Sequence, residues 1–432
     1  MPGKKFMSKN IFISNLNELG FLSRKERGGF EKIFSRQFGI INALLKRNEL
    51  KKYGLRMFQC LSAQVKVLFN LTKEVSSGGL GIDRSPKKAF LSCIGEALER
   101  YCMSVYKDRD LIFSSYNGLA NEHLPQDFYL YTKKQYRSHS EFSDPKKAKI
   151  YWVKVSQYTN PKKFLYWPAS LVYLPFEHGL RAAEATSTGV AAHTTLSNAV
   201  LGGTLEAIER DALMINFLQR LDPPELDTES TKGTLKTFIL KIKRGYNLKI
   251  YKLYSDIKVP IFLGLIWRKN QNTLHYGIGA CANLDSDKAL EKTLKECLFT
   301  YFYSKFLMDL KQKNKSKIKT LYEHYLYYQD EDFQNLLFKK SRKEKYKKEK
   351  YSKNYLFEEL RKGGLEVFFK ELTTRDIKST KIKVVRVIIP GLIDLNKSHD
   401  LRRKAATRFW TVPQKLNLPT KQNLWHMPHP FP

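Results

Sequence analysis

The chain has 432 residues, 42% of them hydrophobic and 13% aromatic, ample material for a core and too much for wholesale disorder. No run approaches the roughly 18 apolar residues of a membrane span, and the opening MPGKKFMSKNIFISNL lacks the pattern of a signal peptide. A formal net charge of +34 favours phosphate-bearing partners, but the lysines are spread along the chain without any DNA- or RNA-reading motif, so no specific nucleic-acid partner is expected.

Five cysteines (Cys60, Cys93, Cys102, Cys281 and Cys297) show no C-x-x-C spacing. That points to reduced thiols, no structural zinc and a cytoplasmic protein with no membrane partner. Residues 1–65 form a basic segment, with short helices expected near Arg27–Phe34 and Ile41–Lys46 and packing against a main domain over 66–432. The run VKVLFNL, around residue 68, reads as a strand leading into a glycine-rich loop. Ser85 followed by Pro86 is a helix start, serine as N-cap and proline at the first helical position, and this helix is expected to run to about Val105.

This loop and helix occur twice. SGGLGIDRSPKKAFLSCIGEALERY at 77–101 lies over STGVAAHTTLSNAVLGGTLEAIERD at 187–211, 110 residues apart at every pair and without a gap. Ser77 falls on Ser187, Gly79 on Gly189, Ala89 on Ala199, Glu96 on Glu206, Glu99 on Glu209 and Arg100 on Arg210. In each copy E-x-x-E-R puts two glutamates on one helix face, close enough to share a partner. On a largely apolar helix such a pair is costly unless a cation neutralises it. Bringing the copies together would surround one cavity with four carboxylates and edge it with two arginines, an arrangement suited to magnesium and a nucleotide. The alternative is two solvated helix faces with local ion pairs. The glutamates sit mid-helix and no G-x-x-x-x-G-K-[ST] is present, so this is no P-loop.

Between the copies, Asp110–Ser114, Ile150–Ser156 and Phe164–Leu174 read as strands, and the second helix is expected to be capped by Thr194 or Thr195. An α/β pattern continues with a helix at Thr234–Lys243, strands at Leu248–Tyr254, Ile261–Ile266 and Thr273–Ile278, and a long helix from Lys288 to about Leu310 capped within Asn283–Asp287. Glu296 on that helix is a candidate site carboxylate, with an exposed glutamate as the alternative. Residues 311–355 form a basic insertion whose SRKEKYKKEKYSK at 341–353 reads as a solvated helix or mobile insertion. Arg386 interrupts the apolar strand Val384–Ile389, which suggests a cleft or edge position and phosphate contact. The chain closes with PHPFP at 428–432, a stiff end that either inserts somewhere or is a harmless tail.

The two copies, with S-x-x-x-E-x-x-E-R at 92–100 and STGVAAHTTLSNAVLGGTLEAIERDA from 187, together with VVRVIIPGL at 384–392 and the terminal PHPFP, resemble the YcaO superfamily, specifically its azoline-forming cyclodehydratases. The resemblance implies an α/β fold of mixed sheets and packed helices built from the internal pseudo-repeat, with an ATP/Mg2+ site between the two repeat helices. It implies Glu96, Glu99, Glu206 and Glu209 as magnesium ligands. Ser92, Arg100, Thr194, Asn198, Arg210 and Arg386 would join Glu96 and Glu206 in holding ATP. The carboxylate of Pro432 would take part in catalysis beside Glu99 and Glu209. The reaction implied is ATP-dependent formation of thiazoline or oxazoline rings from Cys, Ser or Thr of a ribosomal precursor peptide. A separate leader-binding protein, ubiquitin-activating-like or winged-helix in type, would be the partner, and a homodimer stays open. Two departures stand out: Asn198 where the family has glutamate, and His193 where a glycine is usual. Thioamide or amidine formation, a basic nucleic-acid-associated protein and an inactive scaffold are the competing readings.

Overall fold

The N-terminal segment is the start of a sheet. In this computed structural model the described residues are 11–37, 39–63, 66, 78–119, 130–270, 273–307, 318–328, 333, 336, 338 and 340–431. The run VKVLFNL, except for Lys66, and the terminal Pro432 lie outside them. The chain divides into one unit of residues 1–125, 141–204 and 368–388 and a second of 126–140, 205–367 and 389–432.

In the first unit β1 (Ile11–Phe12), β2 (Ile41–Arg47), β3 (Arg56–Ser62) and β4 (Gly79–Asp83) make a four-stranded antiparallel sheet in that order. The helix expected at Ile41–Lys46 is therefore strand β2. Its buried residues, Ile41 and Leu44, are three apart because a β-bulge between Ile41 and Ala43 breaks the two-residue alternation, and that spacing imitates a helix turn. Helix α1 (Arg24–Glu31) does form, capped by Ser23 with Glu26 reaching back. Its Phe30 meets Phe90 edge-on at 5.3 Å, with Phe21 and Phe58 completing the cluster. Phe90 belongs to α2 (Pro86–Met103), which Ser85 caps and Pro86 opens as the sequence predicts.

The remainder of this unit is a six-stranded antiparallel sheet. It contains β5 (Leu111–Ser114), β6 (Ile150–Gln157), β7 (Phe164–Pro168), β8 (Val190–His193), β14 (Phe368–Glu371) and β15 (Lys383–Ile388). The order is β5-β6-β14-β15-β8, with β7 on β6. The strand expected over Phe164–Leu174 stops at Pro168, where the chain turns into a 3-10 segment, Ala169–Leu171.

Helix α3 (Lys133–Ser138) belongs to the second unit, and α4 (Leu196–Leu218) passes from residues of the first to residues of the second. The second unit carries β9 (Glu225–Asp227), α5 (Gly233–Lys243), β10 (Asn247–Lys252), β11 (Ile261–Asn270), β12 (Thr273–Ala282) and α6 (Ser286–Leu307). After these come α7 (Leu321–Leu326), β13 (Lys343–Lys345), α8 (Lys353–Lys362) and α9 (Arg408–Lys415). Its sheet runs β12-β11-β10-β9-β13, antiparallel except for the parallel β9–β13 pair.

The charge-dense 341–353 is neither helix nor loose insertion. Tyr346 N donates to Ser230 Oγ, Ser286 N to the Glu349 carbonyl and Tyr351 N to the Leu284 carbonyl. Lys348 pairs with Asp287 at 2.8 Å, and Lys252 with Glu349 at 2.5 Å. Exposed lysines on this short edge strand discourage further strand pairing. Among the described residues no helix is long and apolar enough to cross a membrane.

Candidate functional site

In the first unit β4 lies almost on α2. A Cβ at Gly79 would fall 2.1 Å from the Cys93 carbonyl oxygen, so only glycine permits this approach. The closeness brings the Leu80 amide to Glu96 Oε2 at 2.8 Å, while Arg100 Nη2 holds Glu96 Oε1 at 2.6 Å. Glu99 Oε1 accepts from the Ala192 amide of β8 at 2.6 Å. Both carboxylates of the first E-x-x-E-R thus offset their desolvation with backbone donors. Ser92 is exposed on the same helix.

At the start of α4, Thr195 is the cap: its Oγ1 accepts from the Asn198 amide at 3.3 Å. Thr194 instead contacts His193 Nδ1 at 3.2 Å. Asn198, His193 and Thr194 are exposed. Partial burial pulls His193 below the ordinary histidine value. Arg386 is not at a sheet edge. It sits in β15, between β14 and β8, buried, with Nη1 donating to the Thr186 carbonyl at 2.7 Å.

In the second unit Arg210 Nε stands 3.6 Å from Glu209 and 3.9 Å from Glu206. Glu209 Oε2 accepts from the Ala282 amide of β12 at 3.1 Å. Burial pushes the Glu209 carboxyl up to about 7; Arg210 and Lys292 oppose the shift, and Glu296 and Glu206 add to it. Burial opposes ionisation of Arg210, yet Glu209, Glu206 and Glu296 hold it above its usual value.

Glu296 is thus a further acidic neighbour of Glu209. Its Oε2 accepts from the Ala280 amide at 3.2 Å, and Lys292 lies 3.7 Å from its Oε1. β12 and α6 repeat the build of β4 and α2: a Cβ at Gly279 would fall 2.6 Å from the Thr293 carbonyl oxygen. A sequence signal exists at a spacing of 200 residues, where Gly79, Ala89, Glu96, Leu98 and Tyr101 fall on Gly279, Ala289, Glu296, Leu298 and Tyr301. The 110-residue pairing obscures it.

The residue after the second motif, Asp211, also has a role that its sequence does not reveal. Arg408 Nε and Nη2 donate to it at 2.9 and 2.6 Å, and the Ile393 amide donates at 2.9 Å. The tail is inserted as far as it is described: Pro428 to Phe431 are buried, and the Trp425 amide donates to the Leu218 carbonyl at 2.7 Å.

Among the described residues, no three His, Cys, Asp or Glu side chains converge as metal ligands in their present rotamers; amides and arginines engage the glutamates instead. The donor set nonetheless fits a hard divalent cation. It consists of carboxylate oxygens, and in the second unit burial raises Glu209, with Glu296 and Glu206 adding to that shift.

No curated protein matches the chain. Among solved structures, one described as a heterocyclase in complex with substrate and cofactor is similar with a TM-score of 0.70 at 20% identity. That match covers 95% of this chain and 57% of the other, so the chain spans a little over half the heterocyclase's length. A YcaO structure from Methanopyrus kandleri bound with AMPPCP and Mg2+ matches at 0.59 and 17% identity, covering 82% and 86%. The E. coli microcin synthetase McbBCD complex with pro-MccB17 bound matches at 0.58 and 14% identity, covering 90% and 96%. At these identities the likenesses speak for the fold. The family model described as YcaO cyclodehydratase, ATP- and Mg2+-binding, matches residues 80–393, most of the chain and both E-x-x-E-R helices, and the protein therefore belongs to the YcaO family.

Proposed function

We propose that this chain is an ATP-dependent cyclodehydratase that forms thiazoline or oxazoline rings in a ribosomal precursor peptide. The observation that carries the reading is Glu209, a buried carboxylate that accepts from the Ala282 amide and has Arg210, Glu296 and Glu206 as charged neighbours. Such a cluster is poorly satisfied by protons and arginines alone and gains from a divalent cation.

In this reading Glu96 and Glu99 of α2 and Glu206 and Glu209 of α4 would hold Mg2+ for ATP, with Glu296 a neighbour of Glu209. Bound magnesium would neutralise charge on the phosphate oxygens, as phosphoryl transfer requires. Arg100 and Arg210, which pair with these glutamates, carry guanidinium groups that suit phosphate oxygens and would face the nucleotide. Ser92, Thr194 and Asn198, exposed on or just before the two motif helices, are the proposed hydroxyl and amide contacts to the nucleotide. Arg386 is proposed as a further phosphate contact. A Cys, Ser or Thr side chain of the peptide attacks the preceding carbonyl carbon, and the oxygen takes the γ-phosphoryl group. That oxygen then leaves as phosphate while the amide nitrogen gives up its proton, so each ring costs the peptide one water. The carboxylate of Pro432 is the proposed acceptor for a proton in this sequence. A leader-binding protein delivers the peptide, and the setting is the cytoplasm.

The test incubates the chain with the precursor peptide encoded beside it, the neighbouring leader-binding protein, ATP and Mg2+. The expected result is phosphate release together with loss of one water per ring by mass spectrometry. Exchange of oxygen for sulfur would move the reading to thioamide formation. Absence of any phosphate release or mass change would overturn the proposal.

A further inference from the structure

Two buried histidines in the second unit are used by none of the metal and nucleotide chemistry above. His324 lies on α7 and His429 in the C-terminal PHPFP, and neither is more than 1% exposed. Their rings stack with centroids 4.0 Å apart and planes within 6°. His324 Nδ1 is 3.1 Å from the His429 carbonyl oxygen, and its Nε2 is 2.9 Å from the Lys397 carbonyl oxygen.

The contacts of His429 fix its tautomer. Nε2 lies 2.7 Å from the Asn396 carbonyl oxygen and must donate. Nδ1 is left as an acceptor and takes the Phe431 amide at 3.3 Å. A side chain accepting from the amide two residues on is the arrangement of an Asx turn, made here by an imidazole. Prolines 428 and 430 have no N–H, so within 428–431 only His429 and Phe431 offer backbone donors. The Tyr328 hydroxyl donates to the Pro428 carbonyl, and Phe217 meets Phe431 edge-on at 6.2 Å.

We propose that the stacked His324–His429 pair is a positioning device for the PHPFP tail: His429 orients the backbone of Phe431, and the His324 ring, stacked on it, holds the imidazole where Nδ1 can accept from that backbone. A proton on His429 Nδ1 would set N–H against N–H and break the contact. The surroundings oppose that proton. Burial, then Arg210 from α4 and His399 and Arg402 from the loop beside the tail, push His429 down to about 4, against the pull of the Asn396 carbonyl. Burial and the neighbouring His429 and His399 likewise push His324 down.

The geometric part of the proposal stands alone, whereas its effect on turnover rests on the cyclodehydratase reading. Hydrogen exchange of the C-terminal peptide, read by mass spectrometry on the full chain, separates the two. His429→Asn retains an acceptor at the Nδ1 position, while His429→Gln retains only a donor near Nε2. The Phe431 amide should exchange about tenfold faster in His429→Gln and in His429→Leu, and near the wild-type rate in His429→Asn. Equal protection in all variants, or the reverse order of Asn and Gln, overturns the proposal even if the leucine variant folds poorly. In turnover, His429→Gln should lower kcat by about 10- to 100-fold with the ATP KM unchanged, and His429→Asn should recover most of it. A freed tail with undiminished kcat would overturn the positioning role. Failure of the wild-type chain to turn over any precursor would count against the cyclodehydratase reading, and the exchange data would still decide the histidine pair.

Discussion

The two E-x-x-E-R helices have the same motif and different electrostatics. On α2, Glu96 and Glu99 each take a strong amide donor, and Glu96 is about one-third exposed. On α4, Glu209 is 8% exposed, its amide contact is longer, and Glu296 adds a further charge. A motif fixes which groups point the same way along a helix. How strongly those groups want a cation depends on the strand laid against them and on the next acidic side chain.

The largest effect should come from removing a carboxylate in either copy. Glu96→Gln and Glu206→Gln are each expected to lower ATP-dependent phosphate release by about 100-fold or more, as losing one charge-stabilising group does in other sites. Calorimetry should give one ATP per chain in the wild type. Loss of turnover in one variant alone would break the equivalence of the two helices and assign the chemistry to a single copy.

The position after each motif sharpens the contrast in stability. Asp211 is buried between the Arg408 guanidinium and the Ile393 amide, whereas the side chain of its counterpart Tyr101 donates to Asp376. Asp211→Ala leaves Arg408 facing Asp256 alone in a buried site and should cost about 3–5 kcal/mol. Tyr101→Phe should cost about 1.5–3 kcal/mol, the range for a hydrogen bond to a charged group. Chemical denaturation of both variants measures the difference, and equal costs would remove the asymmetry.

The raised Glu209 carries a pH signature. Its folded value of about 7 exceeds the ordinary 4.5, so between these two pH values the folded chain holds a proton that the unfolded chain has already lost. Stability without metal should therefore fall as pH rises through that window, by at most about 3 kcal/mol. Glu209→Gln should flatten the slope and be more stable than the wild type at pH 8 in the absence of Mg2+. Added Mg2+ should raise Tm more at pH 8 than at pH 5.5, because the cation then replaces no proton. A flat wild-type profile from pH 5 to 7.5 would show that Arg210 compensates Glu209 in full.

Much of this was legible in the residues, and the parts that were not have physical reasons. Ser85-Pro86 marked the start of α2 because capping is a local property, and the paired motifs marked the acidic helix faces. Strand β2 reads as a helix in sequence because its bulge gives Ile41 and Leu44 a helical spacing. The charged 341–353 reads as a solvated helix or mobile insertion because nothing in its composition announces that Ser230, Leu284 and Ser286 supply its hydrogen-bond partners. Arg386 faced no edge because strand order is a long-range property, and β14 and β8 come from distant parts of the chain. Glu296 reads in sequence as one glutamate on a long helix, and only the contacts of Gly279 and Ala280, which repeat those of Gly79 and Leu80, give it its place.

The smallest effect separates local from functional roles at the helix starts. Asn198 follows the cap Thr195 by three residues, and Lys88 stands in the same relation to Ser85. Neither helix has the acidic residue that would complete a capping box, so a glutamate at either place can reach back to the cap amide and face the positive helix end. Asn198→Glu and Lys88→Glu should each stabilise the fold by about 0.3–1 kcal/mol, read as a small rise in Tm. If position 198 also touches the nucleotide, as the family resemblance implies, Asn198→Glu alone will change the KM for ATP, and Lys88→Glu will leave it where it was. Parallel shifts in both variants would mean that asparagine here replaces only a cap, and that the second copy's distinction rests on Glu209 and Glu296.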